Sequence, residues 1–162
     1  MNKAQLKTQL LEVHTAFIAH ILVLNEQEFL HSRKGKWTAG QQMAHIRRSV
    51  FPVRAAFALP AFFLKLFFGK ANRPSKTYDQ LIAKYGLKLS QGGRAPKRFV
   101  PLPVRYDQRE KLARKLKYSI VRFTQSINKF SEDQLDMLIL PHPLLGKLTL
   151  REMIFFTIYH AE

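Results

Sequence analysis

Six histidines and no cysteine set the chemistry open to this chain. Without thiols, disulfides, thiolate ligands and cysteine nucleophiles are excluded. Any metal must rest on His, Asp, Glu, Asn, Gln or water. His14 and His20 are six residues apart, on different faces of one helix, and cannot form the i, i+4 pair that chelates a metal. His31 follows the first helix and should be solvated. His142 sits in Leu140-Pro141-His142-Pro143, a stiff loop before the last helix. His45 and His160 have different settings. His45 lies four residues after Gln41 and beside Ile46, at the edge of an apolar face. His160 shares a stripe with Met153 and Phe156 and should point inward. A buried imidazole needs a partner for each ring nitrogen. Spacing alone favours a hydrogen-bonded core histidine over a metal ligand.

The elements that must position these side chains are helical. Five places carry a capping residue followed three later by Glu or Gln: Thr38/Gln41, Thr77/Gln80, Asp107/Glu110, Ser131/Gln134 and Thr149/Glu152. In such a box the first side chain accepts from the N3 amide, and the Glu or Gln reaches back to the amide of the cap. Leu6, Leu10, Val13, Phe17, Ile21 and Leu24 step by three and four, which predicts a first helix from about Lys3 to Leu30. Ala39, Met43, Ile46, Val50, Val53 and Phe57 predict a second, which Pro52 and Pro60 should bend or end. A short helix fits Tyr78 to Tyr85, stopped by Gly86. Leu112, Leu116, Ile120, Phe123, Ile127 and Phe130 give another long helix, and a last one starts at Leu150. No stretch alternates with period two, so no sheet is expected. The reading is an all-α domain over residues 1–162, a four-helix bundle with a long irregular basic connection between about Gly69 and Asp107.

The net charge is +16, and it is unevenly spread. Between Lys65 and Lys117, fifteen Lys and Arg stand against three acids. Such a bias suits an anionic small molecule, nucleic acid or a membrane surface. No helix-turn-helix, zinc finger or RNA-binding motif is present, so any nucleic-acid binding should be weak, non-specific and steeply salt-dependent. Phe57, Phe62, Phe63, Phe67 and Phe68 surround Arg54, Lys65 and Lys70 in the manner of an interfacial helix. A core segment or a homodimer face is the reading preferred for these aromatics, because bundles need large side chains. The N-terminus lacks a signal-peptide pattern, and the apolar stretch between Arg54 and Lys65 is too short to span a bilayer. A cytoplasmic protein without a membrane span is expected.

Two segments carry a family resemblance. Lys36-Trp37-Thr38-Ala39-Gly40-Gln41-Gln42-Met43-Ala44-His45-Ile46 resembles the DinB-like segment in which a Trp precedes a helix bearing a metal-binding His. His142-Pro143-Leu144-Leu145-Gly146-Lys147-Leu148-Thr149-Leu150-Arg151-Glu152, running on to Tyr159-His160-Ala161-Glu162, resembles the start of that family's last helix. The resemblance implies a four-helix bundle with a divalent metal near one end, held by one His on the second helix and a His-x-x-x-His pair on the last. His45 matches the first ligand and His160 the second. The third would fall four residues after His160, past Glu162, so the chain reads as cut inside its last helix and should bind metal poorly. The resemblance further implies zinc, nickel or iron, with positions left open for water or substrate. It implies a hydrolase or a transferase that uses a low-molecular-weight thiol. Arg94, Lys97 and Arg98 lie in a loop that could bring an anionic substrate or thiol cofactor to a site at the bundle end. The alternative is a non-catalytic basic helical protein that binds nucleic acid or a membrane surface.

Overall fold

A computed structural model describes residues 1–33 and 35–162. Its elements in order are α1 (Lys3–Leu22), α2 (Glu26–Leu30), α3 (Ala39–Ala58), α4 (Ala61–Phe68), α5 (Tyr78–Ser90), α6 (Arg109–Ile127), α7 (Glu132–Met137), β1 (Ile139–His142), β2 (Gly146–Thr149) and α8 (Leu150–Tyr159). Short 3₁₀ turns occupy Lys97–Phe99 and Tyr106–Gln108. Helix α6 packs along α3 and α1, while α8 packs along α1 and against α5 and α7. Their apolar stripes meet in one core cluster. Phe57 anchors it, with its ring edge-to-face at 4.8 Å from Phe123 and 5.4 Å from Phe130.

Four of the five expected capping boxes form, at Thr38, Thr77, Ser131 and Thr149. Two more form on asparagine, Asn2 with Gln5 and Asn25 with Glu28. The second of these corrects the expected helix from Lys3 to Leu30. Asn25 accepts from the Glu28 amide at 3.0 Å, and Glu28 accepts from the Asn25 amide at 2.9 Å. This local pair starts a new helix where the old one would continue. The Asp107/Glu110 box does not form. Asp107 lies inside the 3₁₀ turn and pairs with Arg105, and α6 starts after Gln108 without a side-chain cap. Helix α5 runs through Gly86 to Ser90, four residues past the expected stop.

The expectation of no sheet is also corrected. β1 and β2 pair antiparallel, from Ile139 opposite Thr149 to His142 opposite Gly146. Each strand has four residues, too few for alternation to declare itself, and Pro141 is tolerated because the ribbon has only two strands. Gly146 turns the hairpin with φ of 77°. His142 therefore ends a strand rather than lying in a loop.

The phase of α1 differs from the apolar count. His14 and Ile18 are buried with Leu6, Leu10 and Ile21, while Val13 and Phe17 are only partly covered. On α3, Gly40 is a close approach: a Cβ there would stand 2.6 Å from the ring of Phe29. Helix α4 turns through 113° from α3 at Pro60. It buries Leu64 and exposes Leu66; of the five aromatics read as a core segment or a homodimer face, Phe57 is core and Phe68 packs against it, while Phe62, Phe63 and Phe67 are exposed and are not core.

Candidate metal centre

His45 of α3 meets His160 at the end of α8, and His142 of β1 packs on the same Phe156 ring as His160. His45 is carried on the second turn of α3, which starts at the Thr38 cap after Trp37. The Trp37 ring lies against the imidazole of His45, with centroids 4.6 Å apart. His45 Nδ1 is 2.9 Å from the Phe99 carbonyl. A carbonyl only accepts, so Nδ1 carries the proton and Nε2 presents a lone pair. That lone pair faces His160, Nε2 to Nε2, at 3.0 Å. His160 therefore donates to it through Nε2. His160 is the C-cap of α8, with its ring 5.0 Å from Phe156. The expectation that His160 points inward is met: the α3 and α8 imidazoles touch.

His142 and His14 were not singled out by spacing. His142 Nδ1 accepts the amides of Leu144 and Leu145 at 3.2 and 3.1 Å, so its proton sits on Nε2. Its ring packs on Phe156, centroids 4.2 Å apart. In this tautomer it offers an N–H, not a lone pair. His14 on α1 donates Nδ1–H to the Leu10 carbonyl at 2.8 Å. Its Nε2 is buried and has no partner among the described residues. The only sequence signal for His14 was its position four after Leu10, in phase with the buried stripe.

All four rings are held neutral. Burial brings His14 and His142 down to about 4. Burial, with His45, His142 and His14 as neighbours, takes His160 to about 3. His45 is lowered by burial, partly offset by the Phe99 carbonyl and deepened by Arg48. Neutral imidazole is the form that ligates metals. Among the described residues, no group of three or more His, Cys, Asp or Glu stands close enough to hold a metal ion.

The His45–His160 pair forms part of the wall of a cavity of about 690 Å³. Val53, Ala56, Phe68, Leu140, Leu144 and Met153 make much of that wall apolar. Arg47, Arg48 and Arg98 also line it, and among the described residues no Asp or Glu does. Arg48 donates to the Val100 carbonyl at 2.8 Å, which ties the basic loop to α3. Of the loop cations expected near the site, Arg98 lines the cavity, and Arg94 and Lys97 are exposed outside its lining.

Among the described residues no single helix is long and apolar enough to cross a membrane; α3 and α4 would suffice together by length and composition but are broken by their bend. No curated protein and no solved structure matches the chain. A family model does match, over residues 9–162, from before His14 to beyond His160, and it places this chain in the DinB superfamily.

Proposed function

We propose that this protein is a metal-dependent enzyme of the DinB type, with the metal on His45 and His160 and an anionic, largely apolar substrate in the adjoining cavity. The observation that carries the reading is the Nε2–Nε2 contact of 3.0 Å at the cavity wall. A tetrahedral zinc with Zn–N of about 2.0–2.1 Å sets two ligand nitrogens roughly 3.3 Å apart. A small separation of the rings would admit the ion. The Nδ1–H of His45 on the Phe99 carbonyl is the outer hydrogen bond that metal-ligating histidines use to fix their tautomer. In this reading α1, α3, α6 and α8 are the four helices of the family's bundle.

The bound metal would supply Lewis acidity, lowering the pKa of a water or thiol. The chain's own residues do the rest. Arg47, Arg48 and Arg98 draw an anionic group toward the cavity, whose lining holds no Asp or Glu among the described residues. The apolar wall excludes water and takes the body of the ligand. His142 offers Nε2–H as a hydrogen-bond donor. The alternative is that the cavity binds an anion without catalysis.

Calorimetric titration with zinc tests the metal reading. One ion per chain should bind weakly, because two imidazoles are fewer than the three protein ligands of a usual catalytic zinc. His45→Ala and His160→Ala should each lower the affinity about tenfold or more. Extending α8 by one turn, with a histidine four residues beyond His160, should raise it. Equal zinc binding in the wild type and both alanine variants would overturn the proposal.

A further inference from the structure

We propose that α4 is a docking helix that seats the protein on an anionic lipid bilayer. This surface is separate from the histidine pair, and the proposal does not depend on a metal.

Helix α4 reads Ala61-Phe62-Phe63-Leu64-Lys65-Leu66-Phe67-Phe68 and holds itself to the core mainly through Leu64. Phe62, Leu66 and Phe67 are 67%, 64% and 64% exposed, and Phe63 is 42% exposed. At spacings of one, four and five these four side chains fall on one side of the helix. The rings also cohere: Phe63 and Phe67 stack at 6.1 Å, and Phe62 meets Phe63 at 5.6 Å. Leu59, in the turn that leads into α4, is a further exposed apolar residue. A contiguous patch of this kind marks an interaction site rather than scattered surface residues.

Charge selects the occupant. From Phe29 to Tyr78 the chain has no Asp or Glu. Lys65 and Lys70 are exposed beside the rings, and Arg54 lies on the preceding helix. Among the described residues none of the three forms an ion pair. An apolar stripe bordered by free cations matches lipid tails beneath anionic headgroups. A second copy would place the same cations against themselves, because a two-fold contact is made of one patch twice. A nucleic acid would meet the cations but leave the phenylalanines in water. Eight residues are too few to cross a bilayer, so α4 would lie in its plane. Phe51 and Phe68 also line the cavity, so docking would bring its apolar wall to the lipid.

Co-sedimentation tests this with the whole chain at physiological salt. Vesicles of phosphatidylcholine mixed with phosphatidylglycerol are compared with phosphatidylcholine alone. Binding is expected to the anionic vesicles. Phe62→Ser/Phe67→Ser should reduce it about tenfold or more, since each ring loses its burial in lipid. Lys65→Glu/Lys70→Glu should reduce it by a similar factor. Circular dichroism checks that these surface variants keep the fold. Leu66→Trp, which leaves every ring and cation in place, should show a blue-shifted emission quenched by brominated lipid. Three outcomes would overturn the proposal. One is vesicle binding that is unchanged in the Phe62→Ser/Phe67→Ser variant. Another is no vesicle binding together with a wild-type dimer that those substitutions dissociate. The third is a Leu66→Trp emission that lipid does not alter.

Discussion

Helix α8 begins on a buried glutamate and ends on a histidine, and the two ends treat their polar groups differently. At the start, Glu152 is fully buried and saturated. It accepts from Arg73 at 2.6 and 2.8 Å, from the Lys76 amide at 2.7 Å and from the Thr149 amide at 3.0 Å. Next to it Arg151 holds Asp136 at 2.6 Å and Glu132 at 2.7 Å, and Ser75 donates to Asp136 at 2.6 Å. At the far end His160 and His45 face each other with one proton between their Nε2 atoms, and His14 keeps a buried nitrogen with no partner. A saturated buried network fixes a structure. At the histidine end the polar groups are fewer and less fully paired, and His45 and His160 stand at the wall of a cavity. The same helix thus has one end closed by a fully paired network and one end at the cavity wall, where the proposed metal would sit.

The sharpest way to break that contrast is Glu152→Ala. It would strand Arg73 and leave the Lys76 and Thr149 amides without their acceptor, so a loss of about 3–5 kcal/mol is expected by chemical denaturation. A loss under about 1 kcal/mol would show that the start of α8 is not the structural end.

The pH dependence should separate the ends within one titration. His14 is held at about 4 in the fold, against an ordinary value near 6.5, so the unfolded chain takes up the proton first. Its contribution is intact above about pH 6.5 and is lost as pH falls toward 4, on the order of 3 kcal/mol. His142, also at about 4, acts in the same window. Glu152 responds lower. Burial alone would raise its pKa, but Arg73 and the Lys76 and Thr149 amides outweigh burial and hold it at about 2. Its contribution is intact above about pH 4.5 and is lost as pH falls toward 2. Thermal unfolding followed by circular dichroism across pH 7 to 3 should show the histidine loss first. Flat stability down to pH 4.5 would contradict the neutral, buried histidines.

Zinc should act only at the histidine end. It should raise the melting temperature of the wild type and of a Glu152→Gln variant alike, through binding to the native state. It should leave His45→Ala unchanged. A rise in His45→Ala would place the ion elsewhere.

The smallest effect expected is a gain. His14→Leu removes an unpartnered buried nitrogen at similar volume and should be neutral or stabilising by about 1 kcal/mol. A loss above about 2 kcal/mol would show that His14 has a structural partner, and would blur the contrast.

Much of this was legible in the residues. Ser and Thr followed three later by Gln or Glu marked four helix starts correctly, because that pairing is satisfied within four residues. Asn25 showed the same logic and was missed only because the apolar stripe ran on past it. Asp107 was overestimated, since an adjacent arginine competed for its carboxylate. The Trp37-to-His45 and His142-to-His160 segments placed the chain in its family, which the matching family model shows.

What the residues by themselves determined is the helical class, most of the helix starts and the family. These rest on contacts between neighbours in sequence, and local geometry fixes them. The tertiary structure alone brought His45 within 3.0 Å of a histidine 115 residues away, and only the fold put the Phe99 carbonyl on its other nitrogen. It alone buried His14 and turned the α4 phenylalanines outward. Such outcomes depend on which helix packs on which, and on the bend at Pro60 that carries α4 away from α3. Periodicity says that a helix has an apolar face, but packing decides what that face meets.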